Sequence, residues 1–295
     1  MMESSPNGDP DAPPKVAHPG TAGRRRTPWP LAVVAALFVV VPFLTWYTTW
    51  FGRGLSDEKI DEYLREGKPR HAQHALSQVA ERVAKGDAGA RRWFPRVLAL
   101  SESPVPDVRM TAAWVMGEEH RSEEFRAALL RLLSDPEPIV RRNAALALVR
   151  FGDARCRPEL VAMLRPYAVK ATADGAALTA LTDGTPVKRE SLLLRYRREA
   201  EGDGEVRSPL PGSIEKALVE EGGRFRAGDD LFRIAPDAEQ AQDALVGLLF
   251  FGTAEDLPEI ERYARGVEGM PAEVKRQAAL TAEAVKRRSA ENPQP

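Results

Sequence analysis

Four segments of this chain repeat one helical pattern, and a helix pair built on that pattern cannot fold by itself. VRMTAAWVMG begins at Val108, VRRNAALALVRFG at Val140, QAQDALVGLLFFG at Gln240 and VKRQAALTAEAVKRR at Val274. Aligned, Ala112, Ala144, Ala244 and Ala278 coincide, and so do Ala113, Ala145 and Ala279. Beside them stand Trp114, Leu146, Val246 and Leu280. The step is 32 residues from Ala112 to Ala144 and 34 from Ala244 to Ala278. A short polar turn with Asp or Pro, such as SPVPD or SDPEP, comes first, and each helix is paired with another amphipathic segment: FRAALLRLL, RPELVAML or LPEIERYA. Paired alanines let two helices approach closely. The large residue next to them is expected to fill the groove of the neighbouring unit. One pair cannot bury its own apolar face, so the units must stack.

The array is broken once. FGDARCRPEL, from Phe151, and FGTAEDLPEI, from Phe251, read as neighbouring copies although one hundred positions separate them. Between them, residues 169–234 are rich in Gly, Pro, Val and Thr. This insert is itself doubled. VKATADGAALTALTDGTPVKRESLLLRY from Val169 matches VRSPLPGSIEKALVEEGGRFRAGDDLFRI from Val206. Gly175 pairs with Gly212, Gly184 with Gly222, Val187 with Phe225, Leu193 with Leu231 and Tyr196 with Ile234. Alternating apolar positions predict short strands, and the glycines mark turns or close approaches.

The helical pattern resembles the HEAT family, in the short form also found in phycobilisome-lyase-like proteins, over about 88–165 and 237–288. A degenerate opening unit is expected at 56–87. The doubled insert resembles the lipoyl/biotinyl-like barrel-sandwich hybrid, most closely that of membrane-fusion (periplasmic adaptor) proteins. The more specific half carries V-x-S-P-x-x-G-x-I from Val206, then Val219, Glu220, Glu221 and Gly222. The resemblance implies a modified lysine on the hairpin joining the halves. Here the joining segment is RREAEGDGE, without a lysine, and Glu201 stands near the matching position. Without an amine nothing can be acylated, so no cofactor is expected. The long helical hairpin of membrane-fusion proteins is missing as well. What remains is a short acidic tip with Glu201, Asp203 and Glu205 as docking candidates.

Residues 1–28 are rich in Pro, Gly and Ala and read as a disordered tail. Residues 29–51 hold no charge and are long enough to cross a bilayer. Trp29 at one end and Trp46, Tyr47 and Trp50 at the other resemble an interfacial belt. No small-residue cleavage site follows, so an uncleaved anchor is expected in preference to a signal peptide. Arg24, Arg25 and Arg26 directly before the span favour a cytoplasmic N-terminus. That places the soluble region in the periplasm, on an inner-membrane protein with one span.

Candidate chemistry is sparse. The net charge of −1 gives no electrostatic case for nucleic acid. The single cysteine, Cys156, excludes an internal disulfide and a cysteine metal cluster. It starts a helix, where a thiol pKa can fall, but no base is near in sequence and a structural thiol is the better reading. His71 and His74 sit three apart on a helix and are the weak metal candidates, lacking a third ligand. His18 and His120 lie in tail and turn. Glu220 with Glu221, and Asp229 with Asp230, fall at turns where exposed acids are ordinary. No catalytic constellation emerges.

The expected fold class is mainly α: an N-terminal transmembrane helix at 29–51 and an α-solenoid of HEAT-like pairs at 56–166 and 236–288. A small all-β barrel-sandwich (lipoyl-like) insert at 167–235 interrupts the solenoid, and 289–295 form a short tail. The expected function is that of a membrane-anchored scaffold without enzyme activity, binding another membrane or envelope protein complex. Alternatives are an accessory subunit of an efflux or secretion system, and a lyase-like protein that handles a cofactor.

Overall fold

The structure, a computed structural model, describes residues 54–198 and 202–291. These residues form a helical array into which two small antiparallel sheets are spliced. Before the splice come α1 (Asp57–Arg65), α2 (Pro69–Ala84), α3 (Phe94–Leu100), α4 (Pro106–Glu118), α5 (Glu123–Leu132), α6 (Pro138–Arg150) and α7 (Arg157–Met163). After it come α8 (Ala238–Phe251), α9 (Leu257–Arg265) and α10 (Ala272–Glu291).

Local chemistry sets the helix starts. Proline occupies the first turn of α2, α3, α4, α6, α7 and α9, where a missing N–H costs nothing. Ser56, Ser122 and Asp237 cap α1, α5 and α8 by accepting from the N–H groups of Lys59, Phe125 and Gln240. The units then stack. α4 packs against α2 on one side and α6 on the other, and α8 packs against α7 and α10. Ala112, Ala113, Ala144, Ala145, Ala244 and Ala278 are all fully buried in these contacts. Gly117 brings α4 and α6 still closer, since a Cβ there would lie 2.9 Å from that of Ala147. One apolar core, with Trp93, Phe125, Leu148, Leu160 and Tyr263, runs through the whole array, across the splice.

The inserted strands are β1 (Tyr167–Lys170), β2 (Gly175–Ala180), β3 (Pro186–Val187), β4 (Leu192–Arg198), β5 (Gly202–Arg207), β6 (Gly212–Ala217), β7 (Arg224–Phe225) and β8 (Asp230–Ala235). One sheet has the order β1-β8-β6-β3 and the other β5-β4-β2-β7. Exchanging β1–β4 for β5–β8, in order, turns the first sheet into the second. Each sheet therefore takes two strands from each half, and neither half can form a sheet without the other. The turns obey the same symmetry. Gly184 donates its N–H to the Ile214 carbonyl at 2.7 Å, and Gly222 donates to the Ala177 carbonyl at 2.9 Å. Both glycines have φ near +80°, at +79° and +80°, where other residues are strained. A separate core fills the module, including Leu194, Tyr196, Ile214, Phe232 and Ile234.

Two expectations need correction. Among the described residues no helix is long and apolar enough to cross a membrane. The stretch 29–51 lies outside the described residues. The fold class is thus corrected to a helical array with two small antiparallel sheets, and the single-pass inner-membrane placement that rested on the span is withdrawn with it. The second correction concerns the large residues beside the alanine pairs. Trp114, Val246 and Leu280 are exposed, at 43%, 39% and 57%, and Leu146 is half-buried. Each residue along a helix turns by about 100°. In α4 Thr111, Ala112, Ala113, Val115, Met116 and Gly117 are all buried, and Trp114 points to the one side of the helix that its neighbours leave uncovered.

Candidate interaction surface

The outward row is the most distinctive surface of the array. Trp114 on α4, Leu146 on α6, Val246 on α8 and Leu280 on α10 occupy equivalent positions of successive units. Phe250, one turn beyond Val246, is 59% exposed. Scattered apolar residues are normal on a surface, but a contiguous patch marks a contact. Trp114, Leu146 and Val246 line one groove of about 530 Å³, with Gly117 and Gly247 among its residues. A Cβ on Gly247 would lie 2.7 Å from Leu160 Cδ1, so the glycine lets α8 settle onto α7.

Charged pairs tie the units together. Arg109 donates to both oxygens of Asp135, at 2.7 and 2.8 Å, and to the Ser103 carbonyl at 2.8 Å. One unit later, Arg141 donates to the Asp135 carbonyl at 2.7 Å. Burial works against the Asp135 charge. The Arg109 hydrogen bonds, the Glu137 N–H and the charges of Arg109 and Arg141 outweigh it, and the carboxyl ends below its ordinary value. Across the splice, Arg157 donates to both oxygens of Asp256. Tyr263 Oη and Arg262 donate to the Leu164 carbonyl, where the chain leaves for the module. Gln240 Nε2 donates to the Pro211 carbonyl at 2.8 Å, and Arg189 pairs with Asp107 at 2.5 Å, so the module is fastened to the array on both sides of the splice.

The residues singled out in the sequence fall as follows. His71 meets Glu66 at 2.5 Å and stacks on Tyr63, with ring centroids 4.2 Å apart. His74 lies further from the same ring, at 6.2 Å. Among the described residues no group of three His, Cys, Asp or Glu is placed to hold a metal. Cys156 is fully buried, and burial pushes its thiol up to about 12, opposite to activation at a helix start. Glu201 lies outside the described residues. Asp203 and Glu205 are on β5 and meet Arg197 at 3.2 Å and Arg195 at 3.5 Å across the strand pair. Glu205 also meets Arg207 at 2.6 Å. The described acids of the tip are thus neutralised by arginines of the same hairpin. Sequence spacing did not show this, because the partners are set by strand register. Nor did it show the groove, whose walls come from three units; the aligned row of large residues was its one visible trace.

Residues 94–181 match a family model described as HEAT repeats. The match covers less than half of the chain and runs past α7 into β1 and β2. A search of curated proteins finds no match. The match supports a HEAT-repeat reading of the helices it spans, and HEAT repeats suggest a scaffold for protein interaction.

Proposed function

We propose that this chain works by binding, as a scaffold whose helical array docks a partner protein along the outward apolar row. The β-module is a second docking head, an unmodified lipoyl-like body. The observation that carries the reading is the exposure of Trp114, Val246 and Leu280 at equivalent positions of three units, and of Phe250 one turn beyond Val246. A large apolar side chain left in water at one position is unremarkable. The same choice recurs in three units, and Trp114 and Val246 share one groove with the half-buried Leu146. The interleaved halves of the module support its role as a rigid head, since neither sheet exists without both.

Site-specific photo-crosslinking tests the reading. A benzophenone amino acid replaces Val246 or Phe250 in the full chain, in its native cells, with Glu124 and Arg131 on α5 as exposed controls. A discrete adduct from the row positions and none from the controls is expected. Row positions that yield no adduct overturn the reading.

A further inference from the structure

The groove between α4, α6 and α8 has an apolar floor but a charged rim. Trp114, Leu146 and Val246 provide the floor. On one side of the rim Arg150 is already paired with Glu118 at 2.6 Å. On the other side stand Glu239 and Asp243, one helical turn apart on α8 and both exposed. Among the described residues neither has an ion-pair partner. Like charges at this spacing repel one another. Partial burial, together with Glu239 and Asp237, pushes the Asp243 carboxyl above its ordinary value. The groove therefore sets unneutralised negative charge among its apolar lining residues.

We infer that this groove takes an apolar protein segment carrying a lysine or arginine, its apolar residues against Trp114, Leu146 and Val246 and its cation against Glu239 and Asp243. The inference rests on the scaffold reading and names the chemistry of the partner. An acidic segment or a nucleic acid would meet repulsion at the same rim. An uncharged segment would leave the two carboxylates partly desolvated without compensation. A cation removes both penalties, and charge complementarity of this kind also selects among partners that fill the trough equally well.

The test uses two labelled probes. One is a 16-residue amphipathic peptide of Leu, Ala and Lys, and the other is the same peptide with every Lys replaced by Glu. Fluorescence anisotropy is read on the full chain in a mild non-ionic detergent. The Lys peptide is expected to bind at least tenfold more tightly than the Glu peptide. Val246→Asp should weaken the Lys peptide by a similar factor. Glu239→Gln combined with Asp243→Asn should leave the two peptides within about threefold of each other. Both of those positions are exposed, so circular dichroism should show an unchanged fold. Equal binding of the two peptides to the unsubstituted chain overturns the inference, and so does a preference that survives the double substitution. If crosslinking at Val246 finds a partner while the peptides bind equally, the scaffold reading stands and this inference falls. If the Lys peptide is preferred while no partner crosslinks in cells, the reverse holds.

Discussion

Arg157 and Asp256 lie 99 positions apart in the sequence, yet the Arg157 guanidinium donates two hydrogen bonds to the Asp256 carboxylate, at 2.7 and 2.9 Å. Asp256 also accepts the Thr253 N–H at 2.8 Å, closing the turn before α9. The preceding unit has a looser counterpart. Arg126, near the start of α5, meets Asp153 in the next turn at 3.6 Å, and Asp153 accepts the Arg155 N–H. Asp153 and Asp256 are both nearly buried, at 7% and 5% exposure. So α8 and α9 stand where the unit after α6 and α7 belongs, and the module is a detour between consecutive repeats.

Breaking that pair should loosen the array at the splice. Arg157→Ala leaves a buried carboxylate short of two charged donors and should cost about 2–3 kcal/mol. A thermal melt should show the loss, and a double-mutant cycle with Asp256→Ala should give a coupling above ~0.5 kcal/mol. A coupling of zero would show that the C-terminal units are held by apolar packing alone.

Asp135 should make stability depend on acid. Its carboxyl is held below its ordinary value in the fold, chiefly by Arg109, against the effect of burial. The contribution is therefore complete above the unfolded value of about 4. It fades as pH falls through the lower folded value, because protonation then removes the partner of Arg109. Urea midpoints measured between neutral and strongly acid pH should fall, and Asp135→Asn should flatten part of that fall. Asp135→Asn should also cost about 3 kcal/mol at neutral pH, since it leaves a largely buried guanidinium unpaired.

Arg142 should not be the most stable residue at its position. It is 4% exposed on α6, its Nε has no hydrogen-bond partner, and burial lowers its pKa to about 10, although Glu159 opposes that shift. Replacing it with methionine keeps the length and removes the desolvated charge. Arg142→Met should raise the unfolding midpoint, by ~1 kcal/mol in stability. A fall in stability would mean that Glu159 and Asp237 compensate the buried charge.

Gly212 should tolerate no side chain. A Cβ there would sit 2.1 Å from the Ala235 carbonyl oxygen and 3.0 Å from Ile234 Cγ2. Gly212→Ala must push β6 away from β8, so a loss of about 1–3 kcal/mol is expected. Hydrogen exchange should report it as faster exchange at Ile214 and Ile234, with the α4 and α6 amides unaffected. Exchange rates unchanged in the module would show that β6 and β8 separate easily.

Cys156 should be silent to thiol reagents. It is fully buried and its thiol stays protonated at neutral pH, with a pKa of about 12. Ellman's reagent should therefore react with the unfolded chain at one equivalent and with the folded chain hardly at all. Rapid labelling of the folded chain would mean that α7 opens readily.

Elements that depend on local periodicity were legible in the amino-acid order. The repeated Ala pairs marked the stacked helices, because a helix turns its buried side inward every three to four residues wherever it packs. The doubling of the insert was legible for a similar reason. Gly175 and Gly212 allow the same close approach at the starts of β2 and β6, and Gly184 and Gly222 supply the same positive φ at equivalent turns of the two halves. Packing between distant segments settled the rest. It turned Trp114, Val246 and Leu280 outward, since which side of a helix is covered depends on the neighbouring units. It gave Asp203 and Glu205 arginine partners, since cross-strand contacts follow from register. It joined Arg157 to Asp256 and set Glu239 and Asp243 above the groove, since both arrangements arise only when the chain returns from the module and closes the stack. Periodicity is written within one helix, whereas a binding surface is shared among several.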